Sequence, residues 1–121
     1  MATFSTHLLN STDGTHAKNL DVIIYQIHTD GNKKKFLETK TDDHGRILNV
    51  FDLSTEDCKC EYEMICKIGN YFSVKRIVSE IVIRFNMPEQ NKKYHIPIII
   101  SPNGYSTCLL YTSPSPRDRE K

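Results

Sequence analysis

In Thr3-Phe-Ser-Thr-His7-Leu-Leu-Asn10, apolar Phe4 and Leu8 alternate with polar Ser5 and His7. In a strand successive side chains point to opposite faces, so His7 projects away from the core that Phe4 and Leu8 supply. Lys93-Tyr-His95-Ile-Pro-Ile-Ile-Ile100 repeats the pattern, with Tyr94, Ile96, Ile98 and Ile100 inward and His95, Pro97 and Ile99 outward. A third polar residue, Arg46, follows the turn Thr41-Asp-Asp-His-Gly. An imidazole titrates near neutrality and can take a proton from water as that water attacks a carbonyl. A guanidinium offers paired donors to a planar anion and stabilises developing negative charge. Taken singly, each is more often a surface or satisfied group than a catalyst. Alternation and spacing alone do not join the three into a site.

The elements that must carry these residues are strands. In Cys60-Glu-Tyr-Glu-Met-Ile-Cys-Lys-Ile68, Cys60, Tyr62, Met64, Cys66 and Ile68 fall on one face and Glu61, Glu63 and Lys67 on the other. From Ile77 to Phe85 the pattern recurs, with Ile81, Ile83 and Phe85 opposed to Glu80 and Arg84. Leu20 to Ile27 is apolar on both faces, as a central or covered strand would be. Asp13-Gly14, Asp30-Gly31-Asn32, His44-Gly45 and Pro102-Asn-Gly104 mark turns between runs. The stretch GNYFSVKR after Ile68 has room for about two turns of helix. The expectation is one all-β domain, an antiparallel β-sandwich of seven to eight strands with one short helix. Pro97 lacks a ladder donor and predicts an edge strand or a bulge. A face of His95, Pro97 and Ile99 is too apolar for bare water and suggests an oligomer contact or pocket wall.

Composition narrows the partners. The 121 residues carry a net charge of +1, which provides no basic field for nucleic acid and no acidic block for a cationic partner. Lys33, Lys34 and Lys35 read as a solvated strand start or turn. There is no run of the ~18 apolar residues that a membrane span needs. The opening MATFSTHLLN lacks a basic, then apolar, cleavable signal. Cys58, Cys60, Cys66 and Cys108 match no common zinc-finger spacing, and reduced thiols in an intracellular protein are expected. A cysteine–histidine nucleophile is disfavoured, since Cys66 sits among core residues.

Three stretches together resemble the transthyretin-like family: Ser5-Thr-His7-Leu-Leu, His44-Gly-Arg46-Ile, and Tyr94-His-Ile-Pro-Ile-Ile-Ile-Ser-Pro-Asn-Gly-Tyr-Ser-Thr107. The likeness runs from about Thr3 to Thr107. Within that family the 5-hydroxyisourate hydrolases keep a histidine in S-T-H, an arginine in D-G-R and a histidine in Y-H-x-P, which the hormone carriers replace. His7, Arg46 and His95 match all three, so the resemblance implies the hydrolase branch. It implies catalytic roles for His7 and His95 as base and orienting partner, in either order, with Arg46 binding substrate. It further implies hydrolysis of 5-hydroxyisourate to 2-oxo-4-hydroxy-4-carboxy-5-ureidoimidazoline in urate degradation, without metal or cofactor. A homotetramer is implied, with sites in a channel between the outer faces of two dimers, in the cytoplasm or peroxisome. The alternative is a transthyretin-like small-ligand-binding protein without hydrolase activity. One departure is His44, where the enzymes have aspartate; it should perturb the turn more than the chemistry.

The family likeness breaks at Cys108. Enzymes of this branch end G-Y-S-T-Y-R-G-S, their last serine lying close to the catalytic groups, whereas Gly104-Tyr-Ser-Thr107 is followed here by Cys108-Leu-Leu-Tyr-Thr-Ser-Pro-Ser-Pro-Arg-Asp118. Residues 108–118 resemble one translated frame of a transposase-type sequencing adapter. The expected organisation is therefore a hydrolase domain over residues 1–107 and a non-native tail over 108–121, with activity impaired by loss of Tyr-Arg-Gly-Ser.

Overall fold

The computed structural model describes residues 1–11, 13–71, 78–101 and 104–107. Eight strands run through them: β1 (Ala2–Asn10), β2 (Asp21–Ile27), β3 (Lys33–Lys40), β4 (Arg46–Phe51), β5 (Glu61–Cys66), β6 (Ile81–Asn86), β7 (Lys93–Ser101) and β8 (Gly104–Thr107). They form two four-stranded sheets, in the orders β4-β1-β7-β8 and β3-β2-β5-β6. Asp57–Lys59 and Ile68–Asn70 are short 3-10 turns. Most of the expected helix, residues 72–76, lies outside the described residues, as do residues 108–121. Among the described residues no helix is long and apolar enough to cross a membrane.

Alternation sets the sandwich. Phe4 and Leu8 of β1 and Ile96, Ile98 and Ile100 of β7 are buried against Val22, Ile24, Tyr62, Met64, Cys66 and Ile81 of the other sheet. Aromatic rings join the layers: Phe4 stacks on Phe85 at 5.2 Å between centroids, Phe85 on Tyr62 at 5.6 Å, and Phe36 meets both Tyr62 and Phe51. Such pairs add to their burial through the ring quadrupoles. Phe36 reaches inward because the β2–β3 register shifts between Ile24 and Tyr25, so that Leu37 and Lys35 pair while Phe36 is the extra residue. Cys58, Cys60 and Cys66 carry free thiols, and burial pushes the Cys66 thiol up to about 12.

The expected antiparallel sandwich holds with one exception, and the edge placement read from Pro97 is corrected. The sandwich is mostly antiparallel, but β1 and β7 pair in parallel, Thr3 with Lys93 through Asn10 with Ile100. Parallel neighbours need a long connection, and here all of β2 to β6 lies between them. Nor is β7 an edge strand: it lies between β1 and β8. Thr3 and Ser11 donate to the carbonyls of Lys92 and Ile100, so even-numbered β7 residues turn their backbone polar groups to β1. Pro97 therefore turns its ring nitrogen away from β1, one residue before the Ile98–Ser101 stretch that pairs with β8. The missing donor costs the β1 ladder nothing.

On the outer face of the second sheet, Glu63 is buried although it opposes the core. Lys33 Nζ lies 3.0 Å from one of its oxygens and Arg84 Nε 3.2 Å from the other. Two residues of the lysine run are thus ion-pair partners, Lys33 of Glu63 and Lys35 of Glu38, and all three are exposed. Hydrogen bonding from Lys33, opposed by burial and aided by Arg84, holds the Glu63 carboxyl below its ordinary value of 4.5. A carboxylate with a lowered folded pKa adds stability above that ordinary value and loses it as pH falls through the folded one. In urea unfolding from pH 7 to pH 3, Glu63→Gln should be destabilised near neutrality, with the gap to wild type closing on acidification. A gap that is constant with pH would contradict this.

Candidate active site

β1 carries the site because its buried residues are Ala2, Phe4, Thr6, Leu8 and Asn10, which leaves Ser5 and His7 on the outer face. Its neighbours bring the other residues alongside. His7 pairs with Arg46 of β4 and with Pro97 of β7, and Ser5 with Leu48 and His95. Adjacent strands lie roughly 5 Å apart, so Arg46 stands beside His7 and His95 one diagonal step away. The three residues singled out in the sequence thus share one sheet face. Leu48, Val50 and Ile99 of the same face are exposed by 68%, 58% and 45%.

The turn before Arg46 is tightly built. Asp42 Oδ1 accepts backbone N–H bonds from His44 at 2.8 Å and Arg46 at 2.9 Å, and these hold the Asp42 carboxyl below its ordinary range. Gly45 has a φ of 71°, and a Cβ there would sit 2.5 Å from the Leu8 carbonyl oxygen and 3.0 Å from the Ala17 nitrogen. Only glycine fits, by conformation and by space. His44 in place of aspartate leaves this turn intact, and its backbone hydrogen-bonds the His7 ring.

The structure adds residues that the alternation did not single out. Residues 13–17 fold back on β1: Asn10 N–H donates to Thr15 O, Gly14 N–H to Asn10 O and Ala17 N–H to Leu8 O, and Leu9 bridges His16. This brings His16 Nδ1 to 3.0 Å from His7 Nε2, the rings 5.1 Å apart and 31° from parallel. His44 meets His16 edge-on at 6.1 Å. The Asp13-Gly14 turn so soon after β1 was the available signal, because a hairpin return sets residue 16 beside residue 9. On the other side, Ser5 Oγ and His95 Nδ1 share a 2.8 Å hydrogen bond that fixes the His95 ring. Among the described residues no three His, Cys, Asp or Glu side chains are arranged to hold a metal ion.

Electrostatics distinguish His7. Partial burial, then the charge of Arg46, then His16, hold its pKa below the ordinary 6.5, with a smaller push from His95 and an opposing hydrogen bond to the His44 backbone. Desolvation and a neighbouring cation both penalise the imidazolium, so His7 is a neutral base at neutral pH. Such a base beside a guanidinium can deprotonate water next to an anionic substrate.

The chain belongs to the HIUase/Transthyretin family, whose sequence pattern it matches over residues 4–108. It is similar to a 5-hydroxyisourate hydrolase of Mesorhizobium japonicum, 32% identical over 111 residues that cover 85% of this chain and 87% of that protein. In fold it resembles the 5-hydroxyisourate hydrolase of Klebsiella pneumoniae, at a TM-score of 0.74, 24% identity and coverage of 92% and 100% of the two chains. It also resembles transthyretin from Sparus aurata, at a TM-score of 0.75, 21% identity and coverage of 91% and 97%.

Replacing Arg46 by Gln removes one cause of the lowered His7 pKa, so the His7 ring should titrate at higher pH in Arg46→Gln. Its proton resonance followed against pH checks this; an unchanged or lower midpoint would contradict it.

Proposed function

We propose that this chain is a cofactor-independent hydrolase that opens the ring of 5-hydroxyisourate to 2-oxo-4-hydroxy-4-carboxy-5-ureidoimidazoline in urate degradation. The observation that carries this reading is His7 flanked by Arg46 and His95 on one outward face, in a family that includes hydrolases of that substrate. Arg46 holds the planar anion, and of His7 and His95 one takes a proton from water while the other orients water or substrate. The water oxygen bonds to a ring carbonyl carbon, the ring C–N bond breaks, and the departing nitrogen takes up a proton. His95, its Nδ1 held by Ser5, acts through its free edge. The carrier reading has one point in its favour, the equally close fold of a fish transthyretin. Retention of His7, Arg46 and His95 together weighs against it.

We further propose a homotetramer in which the outer faces bearing these residues meet. Exposed Leu48, Val50 and Ile99 support that contact. The hydrolase domain is proposed to span 1–107, with residues 108–121 foreign to it.

His7→Ala, Arg46→Ala and His95→Ala should each lower kcat/KM for 5-hydroxyisourate by at least about a hundredfold, the low end for acid–base groups. Wild-type rates in folded His95→Ala would overturn its assignment. Exchanging residues 108–121 for Tyr-Arg-Gly-Ser should raise kcat/KM at unchanged fold; equal rates for the two chains would contradict the proposed boundary.

A further inference from the structure

We infer that His16 is a positioning residue of this site, sharing one proton with His7 across their ring-to-ring hydrogen bond. The inference rests on the hydrolase reading for its purpose and on geometry for its substance. The His7 ring has polar partners on two sides: the His44 backbone, and His16 Nδ1 at 3.0 Å from Nε2. Two lone pairs or two N–H groups would repel at that distance, so one of the facing nitrogens carries the hydrogen and the other is bare. With both rings neutral, the bare nitrogen accepts from its partner.

Adding one proton leaves the contact intact. Either His16 is the cation and donates from Nδ1, or His7 is the cation and donates from Nε2 to a bare His16 Nδ1. These states differ only in which ring holds the hydrogen between them. A second proton puts hydrogens on both facing nitrogens and breaks the contact. The pair therefore takes up protons in two separated steps that belong to both rings together.

The other charged or titratable groups around His7 do not share its proton, although the Arg46 charge disfavours the His7 cation more than His16 does. Arg46 on β4 carries a fixed charge, His95 on β7 is bonded to Ser5, and Asp42 in the turn is occupied by the N–H groups of His44 and Arg46. The His44 ring meets His16, at 6.1 Å between centroids, and presents only its backbone to His7. His16 itself is exposed, so its far edge meets solvent and exchanges protons directly with water. Its backbone is pinned by the bridge to Leu9 and by Gly45, where a Cβ would come within 3.3 Å of the His16 Cβ. The consequence is an outlet: a proton held between the two rings can pass to the solvent-facing edge of His16.

The test is an NMR titration of the ¹⁵N-labelled His7 ring in the full 121-residue chain. Wild type should show two steps separated by more than about one pH unit. His16→Phe keeps a ring in the same place but carries no proton, and should reduce the curve to one step. His16→Gln keeps an N–H donor to the His7 lone pair without sharing a proton. It should also give one step, at lower pH than His16→Phe, because the donor favours neutral His7. A single step in wild type, or two steps that persist in His16→Phe, would overturn the inference. The titration is independent of turnover. Collapse to one step in His16→Phe, found in a protein that does not hydrolyse 5-hydroxyisourate, would support the pair and refute the hydrolase reading.

Discussion

Two backbone groups of one residue, Leu8, hold this site together. Its N–H donates to the Gly45 carbonyl at 2.8 Å and its carbonyl accepts from Ala17 N–H at 2.9 Å. The first bond brings the turn that ends in Arg46 against β1, and the second brings the return segment that carries His16. Both approaches need Gly45, since a side chain there would strike the Leu8 carbonyl and the Ala17 nitrogen. Meanwhile the Leu8 side chain is fully buried in the core. One residue thus anchors the sandwich inward and gathers Arg46, His7 and His16 outward. A shift of one residue in the β1 register would exchange those faces and lose both.

A sheet face with the catalytic role proposed for this one must be polar enough to do chemistry and apolar enough to exclude water. Here the two requirements are met by different residues of the same strands. Arg46 is followed on β4 by Leu48 and Val50, and His95 on β7 by Pro97 and Ile99. In the proposed tetramer those apolar side chains meet a neighbour's and close the space around His7. Removing water there would strengthen the Arg46 field on His7 and on a bound anion alike. By contrast, Glu63 on the other sheet is buried by Lys33 and Arg84, which neutralise it. That arrangement serves structure.

Much of this was legible in period-two alternation. It set His7 and His95 outward, gathered Cys60, Tyr62, Met64 and Cys66 inward, and identified Leu20 to Ile27 as a central strand. Strand order was not legible, because alternation says which face a residue takes and nothing of its neighbour. Hence the parallel β1–β7 pair and the interior place of β7 came only from the structure, although together they set His95 beside Ser5. His16 escaped for a related reason. It lies in a return segment bridged only at Leu9, where backbone bonds rather than hydrophobic period decide which way the side chain turns. The Arg46 assignment needed the family resemblance, since a turn followed by arginine is common in strands of no special function.

The central claim is that this outward face hydrolyses 5-hydroxyisourate. Its most direct measurement is the disappearance of freshly generated 5-hydroxyisourate at neutral pH, with and without purified protein comprising residues 1–107 closed by Tyr-Arg-Gly-Ser. The account predicts loss much faster than the spontaneous rate, with the acid limb of kcat/KM below pH 6.5, the ordinary histidine value. Decay no faster than in buffer, from a folded protein, would contradict it.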